Sequence, residues 1–148
     1  MPVTIVERIA PLVDHPTRVL VLAPSEAVHA GFPSPAQDYY DGPLDLNTHL
    51  IKDRTSTYVL RVAGDSMIGA GIADGDELVV DCALEPKDGA IIIAVLDGEL
   101  TVKRLRLERG GVILEAANPA YPSIMVRELS DLTVWGVATY ALHNLRHA

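Results

Sequence analysis

Beyond about residue 55 the chain alternates apolar and polar positions with the period of a β-strand. "TYVLRVAG" (57–64) alternates and stops at Gly64. "DELVVD" (76–81) follows an Asp74-Gly75 turn. "AIIIAVL" (90–96) is an unbroken apolar run, which predicts a strand covered on both faces. Asp97-Gly98 then supplies the positive φ angles that a tight hairpin needs. Its partner strand is expected from Glu99 to about Leu107. "GGVILEAA" (110–117) and "LTVWGVATYAL" (132–142) bring the set to about six or seven strands. The pattern predicts a mostly-β fold of twisted antiparallel sheets, flat or partly closed into a barrel.

The first 30 residues read differently. Pro2, Pro11, Pro16 and Pro24 interrupt any helical period. "VLVLA" (19–23) is long enough for one short strand. The segment is expected to be an irregular, extended arm that docks on something else. Residues 31–43 carry Pro33, Pro35 and Gly42-Pro43 and read as loop. "LDLNTHLI" then predicts one or two helical turns, with Asp45 as N-cap.

Composition narrows the function. Of 148 residues, 49% are hydrophobic and only 5% aromatic, so the core rests on aliphatic side chains. The formal net charge is -8, and the one dense basic run is Lys103-Arg104-Leu105-Arg106. That balance argues against direct, sequence-specific DNA binding, which needs a basic footprint for phosphates. No run of 18 apolar residues and no signal peptide is visible, so neither membrane contact nor export is expected. The single cysteine, Cys82, excludes an intramolecular disulfide and fits a cytoplasmic, reducing setting. It is expected to be a small buried hydrophobe. The five histidines are scattered. His143 and His147 have i, i+4 spacing but no acidic or cysteine partner in sequence, so a solvated tail is expected and no metal or cofactor.

Two places break the strand pattern. In "AGDSMIGAGIADGD" (63–76) a strand ends and Ser66 falls in a turn with Gly69, Gly71 and Gly75 nearby. Such a turn is either plain connection or a mount that presents a hydroxyl beside backbone N–H groups able to face an oxyanion. The second place is Lys103. Alternation past the hairpin puts Thr101, Lys103, Leu105 and Leu107 on one face, with Val102, Arg104, Arg106 and Glu108 on the other. A lysine on the apolar face either snorkels to water or loses its proton through desolvation. A neutral lysine is a competent general base for a serine. Asp65, adjacent to Ser66, points the other way in an extended chain and is assigned to shaping the turn.

Three stretches, "AGFPSPAQDYYDGPLDLNTHLI", "VAGDSMIGAGIADGDELVVD" and "DGELTVKRL", resemble the UmuD-like branch of the LexA/UmuD family of self-cleaving Ser/Lys peptidases. The resemblance spans roughly residues 30 to 140 in unbroken order, while the arm before His29 matches poorly. It implies Ser66 as nucleophile and Lys103 as base. It also implies an oxyanion hole from the backbone amides of Asp65 and Ser66, and a scissile bond at Ala30-Gly31. Residues 1–30 would then be an arm removed by self-cleavage and 31–148 a β-rich peptidase domain. The implied partners are a second copy in a homodimer, a RecA–single-stranded-DNA filament that stimulates cutting in the SOS response, and a Y-family, UmuC-like polymerase subunit served by the shortened form in translesion synthesis. LexA-type repressors carry a helix-turn-helix domain ahead of the cleavage site, and 30 proline-broken residues are too few for one. A Ser/Lys peptidase acting in trans and a non-catalytic β-rich interaction module are the alternatives.

Overall fold

The computed structural model describes residues 3–12, 20–24, 40–128 and 132–146. Two compact units divide the chain, one of residues 13–54 and one combining residues 1–12 with 55–148.

In the smaller unit, strand β2 (Leu20–Pro24) pairs antiparallel with β3 (Tyr40–Asp45). β2 lies on the stretch expected to be a strand. Residues 40–43, expected as loop, are strand instead, because pairing with β2 gives their backbone a partner that a local reading does not supply. Helix α1 (Leu46–Leu50) follows, and the Asp45 carboxylate accepts from the Asn47 N–H at 3.0 Å, as an N-cap does.

The larger unit holds the other eight strands in a single sheet. They are β1 (Ile5–Pro11), β4 (Thr57–Ala63), β5 (Glu77–Asp81), β6 (Ile91–Leu96), β7 (Glu99–Glu108), β8 (Gly111–Glu115), β9 (Ile124–Val126) and β10 (Thr133–Leu142). Their order is β1-β4-β5-β10-β6-β7-β8-β9, with every adjacent pair antiparallel. A further pairing, Ile5 with Thr101, returns from β7 to β1, so six strands form a ring of pairings and β8–β9 extend from it. Sequence periodicity gives neither β1 nor β9: β1 carries Pro11 and an exposed Glu7-Arg8 pair, and β9 is only three residues long. Residues 5–11, expected as part of an irregular arm, form a strand instead, because pairing with β4 gives their backbone a partner that a local reading does not supply.

The β6–β7 turn is the one read from sequence. Leu96 pairs with Glu99, and Asp97 and Gly98 have φ of 51° and 76°. Positive φ at both central residues matches the right-handed twist of the flanking strands. β6 lies between β10 and β7 and is covered on both faces: Ile93 enters one core cluster with Leu60, Val62, Met67, Leu78, Val80 and Val102, while Ile92 and Ala94 enter a second with Leu105, Val112 and Leu114. β7 splits in the same way. Its Thr101, Lys103 and Leu105 are buried as expected, but Val102 is buried too and Leu107 is 40% exposed. The expected two-faced strand fails at these two positions because the ring curls over residue 102 and has ended by residue 107. Arg104 and Arg106 emerge on the face of Val102 and lie near Glu115 of β8, at 3.8 and 3.5 Å.

Candidate active site

Ser66 sits on a loop whose shape follows from its glycines and aspartates. Gly64 ends β4 with φ of 112°, and its N–H donates to the Asp74 carboxylate at 2.8 Å. Met67 then drops into the first core cluster, fully buried, and anchors the loop. A 3-10 turn over Ile68–Ala70 closes at Gly71, which has φ of 81°. Gly69 is required for a different reason: its N–H donates to the Ala117 carbonyl at 2.7 Å, and a Cβ there would lie 2.5 Å from that oxygen. The loop is thereby strapped to the segment leaving β8.

The same segment holds Asp65. The Asn118 side-chain amide donates to the Asp65 carbonyl at 2.9 Å, and the Tyr121 hydroxyl donates to its carboxylate at 2.5 Å. That hydrogen bond, with some desolvation and the carboxylate charge, raises the pKa of the Tyr121 phenol. Asp65 therefore has the turn-shaping place expected of it. Sequence reading finds neither Asn118 nor Tyr121, since they lie more than fifty residues downstream in a polar stretch without periodicity.

Lys103 lies on β7 opposite Ile92, between buried Thr101 and Leu105, and is 2% exposed. Burial lowers its pKa, because removing the ammonium from water disfavours the charged form. Ser66 is fully buried. Their chain neighbours Met67 and Val102 share the first core cluster, which sets the Ser66 loop beside β7.

One residue joins the two sides. The Thr4 N–H donates to Ser66 Oγ at 2.8 Å, and the Thr4 hydroxyl accepts from the Ser66 N–H at 3.1 Å. Its carbonyl accepts from the N–H of Val102, next to Lys103, at 3.0 Å. Thr4 is fully buried. No local signal marks it, because its partners lie 62 residues away and beyond. The remaining expected site residues, Ala30 and Gly31, lie outside the described residues.

Two expectations need correction. Cys82 is exposed rather than buried, since it stands just past the end of β5, where the sheet no longer covers it. Desolvation and the neighbouring Asp81 charge raise its pKa, so the thiolate is disfavoured. His143 does have an acidic partner: its Nδ1 lies 2.5 Å from the carboxylate of buried Asp76, because β10 delivers it beside the loop that leads into β5. His147 lies outside the described residues. Among the described residues no three His, Cys, Asp or Glu side chains cluster as a metal site, and no helix is long and apolar enough to cross a membrane.

The arrangement combines a buried hydroxyl on a braced glycine loop with a buried amine biased toward its neutral form. A neutral lysine is a base able to activate a serine without histidine. Comparison with known proteins points the same way. Residues 22–139 match the Peptidase S24-like family. The chain is 45% identical over 122 residues to protein SamA of Salmonella typhimurium, covering 82% of this chain and 84% of SamA. Protein MucA of Escherichia coli is 40% identical over 118 residues, 79% of this chain and 80% of MucA. The LexA repressor of Delftia acidovorans is 42% identical over 117 residues, 79% of this chain but 52% of the repressor. The chain belongs to the S24-like family of self-cleaving Ser/Lys peptidases, whose family role lies in the SOS response.

Proposed function

We propose that the protein cuts its own Ala30-Gly31 bond, with Ser66 as nucleophile and Lys103 as general base. Ser66 Oγ attacks the Ala30 carbonyl carbon while neutral Lys103 takes the hydroxyl proton. The amides of Asp65 and Ser66 face the oxyanion that forms. Collapse expels the Gly31 amine, which receives its proton from Lys103, and leaves an ester between Ala30 and Ser66. Water, deprotonated by Lys103, hydrolyses that ester. The tether holds the scissile segment at high effective concentration, so no tight binding is needed.

On this reading residues 1–30 are a removable arm and 31–148 a peptidase domain that works as a homodimer. A RecA–single-stranded-DNA filament raises the population of the cutting-competent state. The shortened form then serves a UmuC-like, Y-family polymerase in translesion synthesis. The observation that carries the reading is the burial of both Ser66 and Lys103, at 0% and 2% exposure, with the lysine pKa lowered. A buried lysine is costly to keep charged, because taking the ammonium out of water disfavours it, so burial favours the neutral amine that a general base requires.

Mass spectrometry of purified full-length protein, with and without activated filament, tests it. The expected product begins at Gly31. Ser66→Ala and Lys103→Ala should each leave the chain whole, and Gly31→Glu should block cutting while the fold persists. A Gly31 fragment from Ser66→Ala protein, free of other proteases, would contradict the assignment.

A further inference from the structure

Thr4 occupies the atoms that the proposed reaction needs. The Ser66 hydroxyl oxygen, which must attack, accepts the Thr4 N–H. The Ser66 N–H, which must face an oxyanion, donates to the Thr4 hydroxyl. The Thr4 carbonyl takes the N–H of Val102, and Ile5 pairs with Thr101 along β7. β8 pairs with β7 only from Arg104 onward, so β1 lies on the stretch of β7 that β8 leaves open. An extended segment laid against a strand edge beside a serine and an amide donor is how a peptide substrate would be held.

The segment is nonetheless not placed to be cut. During attack on the Val3-Thr4 bond the Ser66 amide would hold the Val3 carbonyl oxygen, but it holds the Thr4 hydroxyl instead. The strand is held by backbone pairing with β4 more than by side-chain burial. Thr4 is fully buried and Val6 packs on the first core cluster, but Glu7 to Pro11 are exposed, and the pairing with β4 is irregular between Val6 and Arg8. Few buried apolar contacts mean a low cost of local opening.

We propose that β1 is an internal pseudosubstrate: Thr4 plugs Ser66 and its amide, and β1 must leave β4 and β7 before the scissile segment can enter. The proposal rests on Ser66 being the nucleophile and concerns how that site is kept shut. It supplies a reason for an intact chain to persist, namely that one strand competes with another for a single cleft.

A reversible lock tests it. Arg8 and Arg61 pair directly across β1 and β4, and both are exposed. Opposed strand positions suit a disulfide, so full-length Arg8→Cys/Arg61→Cys protein, in a Cys82→Ser background, pins β1 when oxidised and frees it when reduced. Two readouts are followed, appearance of the Gly31 fragment at alkaline pH and labelling of Ser66 by a fluorophosphonate. Both should be suppressed on oxidation and restored by reductant. In the otherwise unaltered chain Thr4→Val, which removes the hydroxyl but keeps the shape, should speed labelling about three- to tenfold, the worth of one hydrogen bond. Thr4→Ser should return it to the parent rate. Labelling that responds to the lock while no Gly31 fragment forms in either state would uphold the plug and defeat the assigned scissile bond. Labelling equally fast in locked and freed protein, or a fragment beginning at Thr4, would overturn the plug.

Discussion

Replacing Gly69 by alanine isolates what holds the Ser66 loop in place. The new methyl would stand 2.5 Å from the Ala117 carbonyl oxygen and 3.3 Å from its carbon, a backbone group with no rotamer to yield. The same oxygen accepts the Gly69 N–H at 2.7 Å, so relief of the clash breaks that hydrogen bond. Overpacking of a tight site costs about 1–3 kcal/mol, and one lost hydrogen bond adds about 0.5–1.5 kcal/mol. A total of about 2–4 kcal/mol follows, a fall in Tm of about 5–15 °C for a chain of this size. Gly110→Ala is the control, since a Cβ there meets nothing within 4 Å. Thermal unfolding of both variants by circular dichroism reads the difference. Labelling of Ser66 by a fluorophosphonate should also slow in Gly69→Ala, as the loop shifts with its strap. A Gly69→Ala protein that melts with Gly110→Ala would refute the idea that the segment after β8 braces the loop.

Lys103→Met should stabilise the fold at neutral pH. The folded-state pKa is lowered, so between that value and the ordinary 10.5 the unfolded chain binds more protons, and stability falls as pH drops through this window. The methionine variant lacks that loss, and its advantage, about 1.4 kcal/mol per unit of lowering, should vanish above pH 10.5 in denaturant titrations across pH. Tyr121→Phe removes the donor to the Asp65 carboxylate. It should slow self-cleavage about ten- to a hundredfold through misplacement of the loop, with little change in Tm, and single-turnover rates beside melting curves would show the split.

Strand periodicity and turn chemistry were legible wherever the chain determines its own surroundings. "AIIIAVL" carries the double burial of Ile92, Ile93 and Ala94, and Asp97-Gly98 carries its positive φ angles. Asp45 capped its helix because a cap is a contact two residues long. Lys103 was legible from alternation alone, since the faces of a strand are fixed by the pleat. What local pattern could not give was contact across long separations. β3 reads as loop until β2 is beside it. Val102 reads as solvent-facing until the ring of strands curls over it. Thr4, Asn118, Tyr121 and the His143–Asp76 pair meet their partners only through the fold, and a polar residue in an irregular stretch carries no periodic mark of where it will land.

The central claim is that a buried, uncharged Lys103 draws the proton from Ser66. The most direct measurement is the first-order rate of appearance of the Gly31 fragment across pH 6 to 11, in parent and Lys103→Met protein. The parent rate should climb with pH and level off below pH 10.5, the ordinary lysine value, while Lys103→Met stays whole throughout. A rate that ignores pH, or a Lys103→Met chain that cuts itself at the parent rate, would contradict it.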